Sequence, residues 1–516
     1  MLPISASGSS FTAVLPSEQA LQRLVVDIAA TLEPDDLLTL SGDLGAGKTT
    51  FARAMIRFLA DKPEIAVPSP TFTLMQTYEL PRFPLVHADL YRLEGPGELA
   101  ELGFDDLPKG AVVLLEWPDR AAGFLPPDRF DLTFTLAPEL GPEHRNVRIT
   151  GYGRFGARVE RMAAVRRFLD ATGYAAAERR RVQGDASTRI YERLRLGDQR
   201  AILMNAPRRP DGPPIRGGKP YSAMVHLAED IQPFVAMANG LRQIGLSAPQ
   251  IYEAELPDGL LIIEDLGSEP VVAGDPPSPV EERYRAAVDV LITLHSAKLT
   301  DTLPIAPHVS HRLPHYDLDA YLTEAELLLD WYLPRVGVKV TDPIRTAYLS
   351  VWHQALAVAL DAEPTWVLRD FHSPNLIWLA ERTDIAQVGV LDFQDAVMGP
   401  AAYDVASLLQ DARVDVPETM EVSLLGRYVD RRAELDPDFY PVNFLQIYAT
   451  LAAQRASKIL GIFSRLDRRD GKPQYLRHIP RVWGYLQRSL AHPALGTLRN
   501  WYSANLPAPT LPVGGE

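Results

Sequence analysis

One octapeptide limits this chain's options more than any other: Gly42-Asp-Leu-Gly-Ala-Gly47-Lys48-Thr49. The apolar run Leu37–Ser41 leads into it as a strand, and Thr50-Phe-Ala-Arg-Ala-Met-Ile-Arg follows with helical spacing of apolar residues. Strand, glycine loop and helix in that order are the context G-x-x-x-x-G-K-T requires. Glycines let successive backbone N–H groups turn inward around phosphate, and the helix N-terminus adds positive potential. Lys48 then reaches the β- and γ-phosphates and Thr49 a Mg²⁺ ion. The segment is expected to be a nucleotide-phosphate site on an α/β sheet.

Three further stretches supply what such a loop needs. Val67-Pro-Ser-Pro-Thr-Phe-Thr73 offers Ser69 or Thr71 as a hydroxyl near the metal, or is simply a Pro-rich turn entering a strand. Leu85-Val-His87-Ala-Asp89 and Val112-Val-Leu-Leu-Glu116-Trp117 each end an apolar run on an acid. A carboxylate at the end of a buried strand needs a partner, and Mg²⁺ is one; a salt bridge is another.

With these segments in order, residues Pro16–Thr150 resemble the TsaE family, the bacterial ATPases of tRNA threonylcarbamoyladenosine synthesis, through GDLGAGKTTF, SPTFTL, HADLYRL and LLEWPDR. The resemblance implies ATP and Mg²⁺ as ligands, with Gly42, Asp43, Gly45, Ala46, Gly47, Lys48, Thr49 and Thr50 around the nucleotide. It also implies Glu18 as a nucleotide neighbour, Lys48 as the catalytic cation, Thr49 and Glu116 at the metal, and Asp89 in the family's other acidic slot. Trp117 stacks near the nucleotide or in the core. The implied partner is the TsaB–TsaD pair on separate chains, so that tRNA is reached only indirectly.

A chain of 516 residues exceeds one ordinary domain. Gly151-Tyr-Gly-Arg-Phe-Gly156 marks a joint, which divides the chain into an N-terminal domain over residues 1–152 and a larger one over 157–516. An amphipathic helix over Ala157–Thr172 opens the second. The Pro/Gly-rich stretches Pro210–Pro220 and Pro270–Pro279 fall between its elements as internal loops.

The larger domain is organised around Val367–Asp395, VLRDFHSPNLIW…VGVLDFQD. Asp370 precedes Asn375 by five residues, and Asp392 follows a short apolar run. Protein kinases order a proton-accepting Asp, a metal-binding Asn and a metal-binding Asp in this way. The runs Leu376–Leu379 and Val388–Leu391 flank the turn as strands, bringing Asn375 and Asp392 to one metal cluster. Gln183–Tyr191 resembles a shortened phosphate-covering turn, with Gly184, Ser187 and Thr188 as nucleotide contacts. The strand Ala201–Asn205 carries Met204 and Asn205 where a kinase carries lysine; Arg189 or Lys219 stands as the substitute. Phe234–Ile244 reads as a helix, Leu260–Leu266 as a strand entering a hinge, and Glu281–Ser296, Asp317–Leu333, Asp342–Leu360 and Phe444–Phe463 as helices. Asp404 is expected to pin the catalytic loop through a buried hydrogen bond.

GDASTRIYER, LRDFHSPNLIW, LDFQDA and YDVASLLQDAR resemble the aminoglycoside phosphotransferase superfamily over about Ala157–Leu495, and within it the AmgK branch of sugar kinases. That resemblance implies ATP-dependent phosphorylation of the anomeric hydroxyl of N-acetylmuramate or N-acetylglucosamine, with Asp370 as base and Asn375 and Asp392 on Mg²⁺. The superfamily places a His just before the catalytic Asp; here Leu368-Arg369-Asp370 stands there and His372 follows. His372 and Asp395 contact substrate or pack the loop. Two readings remain beside this one: a choline-like, aminoglycoside or homoserine-like acceptor, and a non-catalytic pseudokinase scaffold.

The absence of cysteine excludes disulfides, thiolate metal sites and cysteine nucleophiles, and fits a reducing cytoplasm. No apolar run is long enough to span a membrane, and MLPISASGSS lacks the features of a signal peptide. A net charge of −14 argues against a broad electrostatic grip on nucleic acid.

Overall fold

The computed structural model describes residues 8–93, 98, 106–121, 123–141, 143–182 and 189–509. It divides into two compact units, Met1–Arg200 and Ala201–Glu516.

In the first unit β1 (Ser9–Leu15), α1 (Glu18–Ala29), β2 (Leu37–Ser41), α2 (Lys48–Ala60), β3 (Met75–Tyr78), β4 (Leu85–Asp89), β5 (Val112–Glu116), β6 (Arg129–Leu136) and β7 (Arg145–Tyr152) precede α3 (Phe155–Ala171). The strands form one sheet in the order β1-β7-β6-β2-β5-β4-β3. Its centre is parallel, β2 pairing with both β5 and β6 and β4 with β5. Every residue of β4 and β5 is buried, because the sheet is covered on both faces. One face packs Phe51, Met55 and Ile56 of α2 with Leu24 and Ile28 of α1; the other gathers Val86, Ala88, Val113 and Leu115. Phe155, Val159 and Met162 of α3 enter the first of these cores. The chain reverses so tightly there that a Cβ on Gly151 would meet the Phe155 carbonyl oxygen at 2.3 Å. Beyond α3, β8 (Glu178–Val182) and β9 (Ile190–Leu196) pair antiparallel. Arg179 of β8 is bound by Asp27 of α1 and by Glu192 of β9 (2.7 Å), and Arg166 of α3 reaches Asp27 at 3.2 Å.

In the second unit Ala201–Asn205 of β10 (Gln199–Asn205) pairs antiparallel with the strand Leu260–Glu264, which pairs with Ile251–Glu255. The short α4 (Tyr221–Met224) precedes α5 (Gln232–Gln243). Two small antiparallel pairs follow, Leu376–Trp378 with Val388–Val390 and Thr365–Val367 with Val397–Gly399. The helices Glu281–Ser296 and Asp342–Leu360 lie where the periodicity places them. The segment expected as one helix over Asp317–Leu333 is broken: an α-helix Leu318–Ala325, capped by Asp317 on the Ala320 N–H, passes into a π-turn over Leu328–Tyr332. Pro334, just beyond the turn, has no N–H to give the Asp330 carbonyl, and Gly461 packs against Leu327, the residue before the turn. Gly461 lies on the long helix Pro441–Asp470, and a Cβ there would meet the Leu327 backbone at 2.3 Å, so the two segments touch backbone to backbone. That long helix extends past the expected Phe444–Phe463 at both ends. Among the described residues no helix is long and apolar enough to cross a membrane.

Candidate functional sites

The phosphate loop crosses the carboxyl edge of the first sheet. Gly42 has φ +133°, and a Cβ there would meet the Phe134 carbonyl at 2.3 Å, so only glycine fits. Gly47, at φ +111°, is the N-cap of α2 and gives it no side-chain cap, which leaves the first N–H groups of the helix available to an anion. Asp43, Gly45 and Thr50 are exposed around the loop while Ala46 is buried under it. Lys48 Nζ donates to the carbonyls of Gly42 (2.8 Å) and Asp43 (2.9 Å) and stands 3.8 Å over the Trp117 ring. Burial pulls its pKa below the ordinary lysine value, opposed by Glu116, Asp89 and Asp43.

Register brings the two strand-end acids to this loop. Glu116 is aligned with Leu40 on one side and with Asp89 on the other. The Thr49 hydroxyl donates to Glu116 Oε2 at 2.8 Å, and His87 Nε2 lies 2.9 Å from Oε1. Asp89 accepts from the Thr71 hydroxyl (2.8 Å), the Ser69 hydroxyl (3.4 Å) and the Tyr91 N–H (3.0 Å). Ser69 and Thr71 are thus tied to the acid. Trp117 turns the chain at φ +60° and packs against Tyr91 at 5.1 Å. Glu18 is exposed in the first turn of α1, and among the described residues no hydrogen bond joins it to the loop. His87, wholly buried on the strand that ends in Asp89, is a site residue the motif pattern did not single out. The alternation along the strand carried the signal: a polar residue two before the acid points to the same side.

The second candidate site lies in the second unit, around the loop Leu368–Asn375. The Asn375 side-chain amide donates to the Asp370 main-chain carbonyl at 3.0 Å, and the Asn375 main-chain carbonyl accepts the Leu391 N–H at 2.9 Å. The hairpin register, Leu376 opposite Val390, therefore sets Asn375 opposite Leu391, the residue that precedes Asp392, at one end. Gln394 Nε2 donates to Asp392 Oδ1 at 2.8 Å, and Phe393 is anchored by stacking on Phe234 of α5 at 4.9 Å.

Two buried aspartates hold the loop from behind. Asp404 accepts the N–H groups of Leu368 (2.6 Å) and Arg369 (2.8 Å), the role expected of it. Burial pushes its pKa up to about 7 against those two bonds. Asp411, which the sequence reading passed over, accepts the Ser373 N–H at 2.8 Å. Arg369, at φ +68°, buries its guanidinium against Glu324 and donates to the Val225 carbonyl at 2.9 Å. Lys458 Nζ completes the group at 2.8 Å from Glu324 and 3.3 Å from the Tyr403 hydroxyl. Burial acts against ionisation of Asp370, but His372, Lys458 and Arg369 together hold it below the usual carboxylate range. His372 Nε2 lies 3.7 Å from Asp370 Oδ1. Asp395 Oδ1 accepts the Ala228 N–H at 2.6 Å.

Neither Met204 nor Asn205 of β10 supplies the cation a kinase strand carries, and Lys219 is exposed. Gly184, Ser187 and Thr188 lie outside the described residues. Among the described residues no three His, Asp or Glu side chains converge to hold a cation unaided. Both donor sets nevertheless fit Mg²⁺, which takes one or two protein oxygens and completes its shell with water and phosphate. In the first, a hydroxyl and a carboxylate already share a hydrogen bond; in the second, the Asn375 oxygen is left over when its nitrogen engages Asp370.

Residues 15–146 match the family described as threonylcarbamoyl adenosine biosynthesis protein TsaE, and residues 178–438 the phosphotransferase enzyme family. The N-acetylmuramate/N-acetylglucosamine kinase of Caulobacter vibrioides is 38% identical over 364 residues, 68% of this chain and 98% of that protein. The enzyme of the same description from Pseudomonas aeruginosa is 33% identical over 64% of this chain and 88% of that one. The tRNA threonylcarbamoyladenosine biosynthesis protein TsaE of Rickettsia bellii is 38% identical over 24% of this chain and 85% of its own.

Proposed function

The chain belongs to the TsaE family over residues 15–146 and to the phosphotransferase enzyme family over 178–438, and on that premise we propose that it is a bifunctional ATP-consuming enzyme. The first unit hydrolyses ATP in support of tRNA threonylcarbamoyladenosine formation by TsaB and TsaD, and does not itself modify tRNA. The second transfers the γ-phosphoryl group of ATP to the anomeric hydroxyl of N-acetylmuramate or N-acetylglucosamine, in the recycling of cell-wall aminosugars. The cytoplasm, where ATP and tRNA are present, is the compartment that suits both.

In the kinase, Asp370 accepts the proton of the anomeric hydroxyl as that oxygen bonds to the γ-phosphorus and the bond to the bridging oxygen of ADP breaks. Like any unprotonated carboxylate it is available at neutral pH to accept that proton, as the aspartate of a kinase catalytic loop does. Asn375 and Asp392, held at one end of the hairpin, face the phosphates. In the ATPase, Lys48 and the uncapped N-terminus of α2 receive the β- and γ-phosphates, while Thr49 and Glu116 stand at the metal position and Asp89 sets the Ser69–Thr71 turn. Mg²⁺ would be held by Thr49 with Glu116 and by Asn375 with Asp392, where it neutralises phosphate charge.

The observation that carries the kinase reading is the single hydrogen-bonded unit made by Asp370, Asn375 and the strand end that bears Asp392. A scaffold would have no use for a loop pinned by two buried aspartates behind a part-exposed acid. Incubation with ATP, Mg²⁺ and each aminosugar tests it: sugar 1-phosphate forms, and Asp370→Asn abolishes it. Absence of turnover on every hydroxyl compound offered would return the domain to the scaffold class. For the first unit, Lys48→Ala is expected to end support of a reconstituted TsaB–TsaD reaction while sugar phosphorylation persists.

A further inference from the structure

Asp392 stands in the left-handed backbone region at φ +57°, a conformation that an aspartate keeps only when its surroundings hold it there. The main chain before it is tied by the Leu391 N–H to the Asn375 carbonyl at 2.9 Å, and Phe393 after it is stacked on Phe234 at 4.9 Å. A third contact holds the carboxylate itself: Gln394 Nε2 donates to Oδ1 at 2.8 Å.

Gln394 is only 3% exposed, and its Oε1 is buried with no hydrogen-bond partner among the described residues. A buried amide oxygen left unbonded is costly, and an apolar side chain of the same length would fill the space without that cost. Packing alone therefore does not account for an amide at this position. The missing partner is a donor, since a carbonyl oxygen only accepts. Both ends belong to one planar amide, so Oε1 lies within one water molecule's span of the Asp392 carboxylate. Mg²⁺ keeps several of its waters when protein oxygens bind it, and those waters are donors.

We propose that Gln394 is a positioning residue for the metal of the kinase: its nitrogen sets the Asp392 carboxylate, and its buried oxygen takes a hydrogen bond from a water in the shell of Mg²⁺. This rests on the phosphotransferase reading of the second unit. A neutral amide can donate to the carboxylate and accept from the water at once, whereas glutamate would set a second buried negative charge against Asp392. Groups one shell out from a metal govern how tightly it is held.

The full chain carrying Lys48→Ala, which silences the first nucleotide site, is titrated with Mn²⁺ in the presence of ADP and followed by the electron paramagnetic resonance of the ion. Gln394→Met keeps the length and loses the amide. It is expected to weaken Mn²⁺ binding by about tenfold or more, and to raise the Mg²⁺ concentration for half-maximal sugar phosphorylation by a similar factor. At saturating Mg²⁺ its kcat should recover most of the native value. Without metal its unfolding temperature is expected to match or exceed the native one, because the stranded oxygen is gone. Unchanged Mn²⁺ affinity, or a loss of kcat that no Mg²⁺ concentration repairs, overturns the assignment and leaves Gln394 as a packing residue. A crystal of the native chain with ADP and Mg²⁺ tests the same point without a variant. One water is expected to touch both Gln394 Oε1 and the ion, and an Oε1 bonded to anything else refutes the proposal. Should the Lys48→Ala chain bind no Mn²⁺ with ADP at all, the kinase reading itself falls; binding that Gln394→Met leaves intact removes only the role of Gln394.

Discussion

Asn375 donates its side-chain amide to the main-chain carbonyl of Asp370 across 3.0 Å. The residue assigned to the metal therefore also fixes the residue assigned to the proton, and neither is free to move alone. Asn375→Ala removes the oxygen proposed for the metal and that tether together. Sugar phosphorylation is expected to fall roughly a hundredfold or more in kcat. Raising Mg²⁺ should recover only part of it, because added metal cannot restore the loop. Full recovery at high Mg²⁺ would show that the tether contributes nothing.

His87 and Thr49 divide the two oxygens of Glu116 between them, at 2.9 and 2.8 Å. His87→Ala leaves a buried carboxylate with one partner instead of two, at a stability cost of about 1–3 kcal/mol. ATP hydrolysis by the first unit should drop by about tenfold or more, and His87→Gln, which keeps a donor at similar reach, should regain part of it. The check is the steady-state ATPase rate in an Asp370→Asn background, where the kinase is silent.

Asp404→Ala strands the Leu368 and Arg369 N–H groups in a dry interior, at about 1–3 kcal/mol for each. The phosphotransferase should lose activity before the unit unfolds, since the stranded groups belong to the loop that carries Asp370. Thermal unfolding measured beside sugar phosphorylation separates the two effects; a variant with native stability and native kcat would contradict the pinning role.

His295 is fully enclosed and shares a 2.8 Å hydrogen bond with the Tyr428 hydroxyl. Burial, with help from Arg432, holds its pKa down at about 3, against an ordinary value of 6.5. The unfolded chain therefore takes up a proton below about 6.5 that the folded chain refuses, and stability falls as the pH drops through the window from 6.5 towards 3. The contribution is about 1.4 kcal/mol per pH unit at its steepest. His295→Gln should flatten the dependence of the unfolding temperature on pH between about 6 and 4.5, and an unchanged slope would remove His295 from the account.

The sequence announced those parts of both sites that are local in the chain. Gly42–Thr49 is legible because strand, loop and helix are contiguous and glycine is demanded by a backbone approach, as Gly42 against Phe134 shows. Asp370, Asn375 and Asp392 are legible because a short hairpin brings them together. What stayed hidden depends on contacts over long separations. Glu324 and Lys458 reach the catalytic loop from helices far off in the chain, and Asp411 from the segment just after the helix Ala402–Leu409, and no spacing rule links them to it. His87 lay within a quoted stretch, yet its role appears only when β4 and β5 are set in register. The close approach of Gly461 to Leu327 has the same origin, since the two lie more than a hundred residues apart.

The helix Phe155–Ala171 has a practical bearing on how this polypeptide can be cut. Its Phe155, Val159 and Met162 complete the apolar filling beneath β1 and β7. A recombinant piece that stops at Tyr152 would leave that filling open to water and is expected to aggregate, whereas one that runs through Ala171 keeps its lid of aromatic and branched side chains. Scissors belong after this helix, not before it.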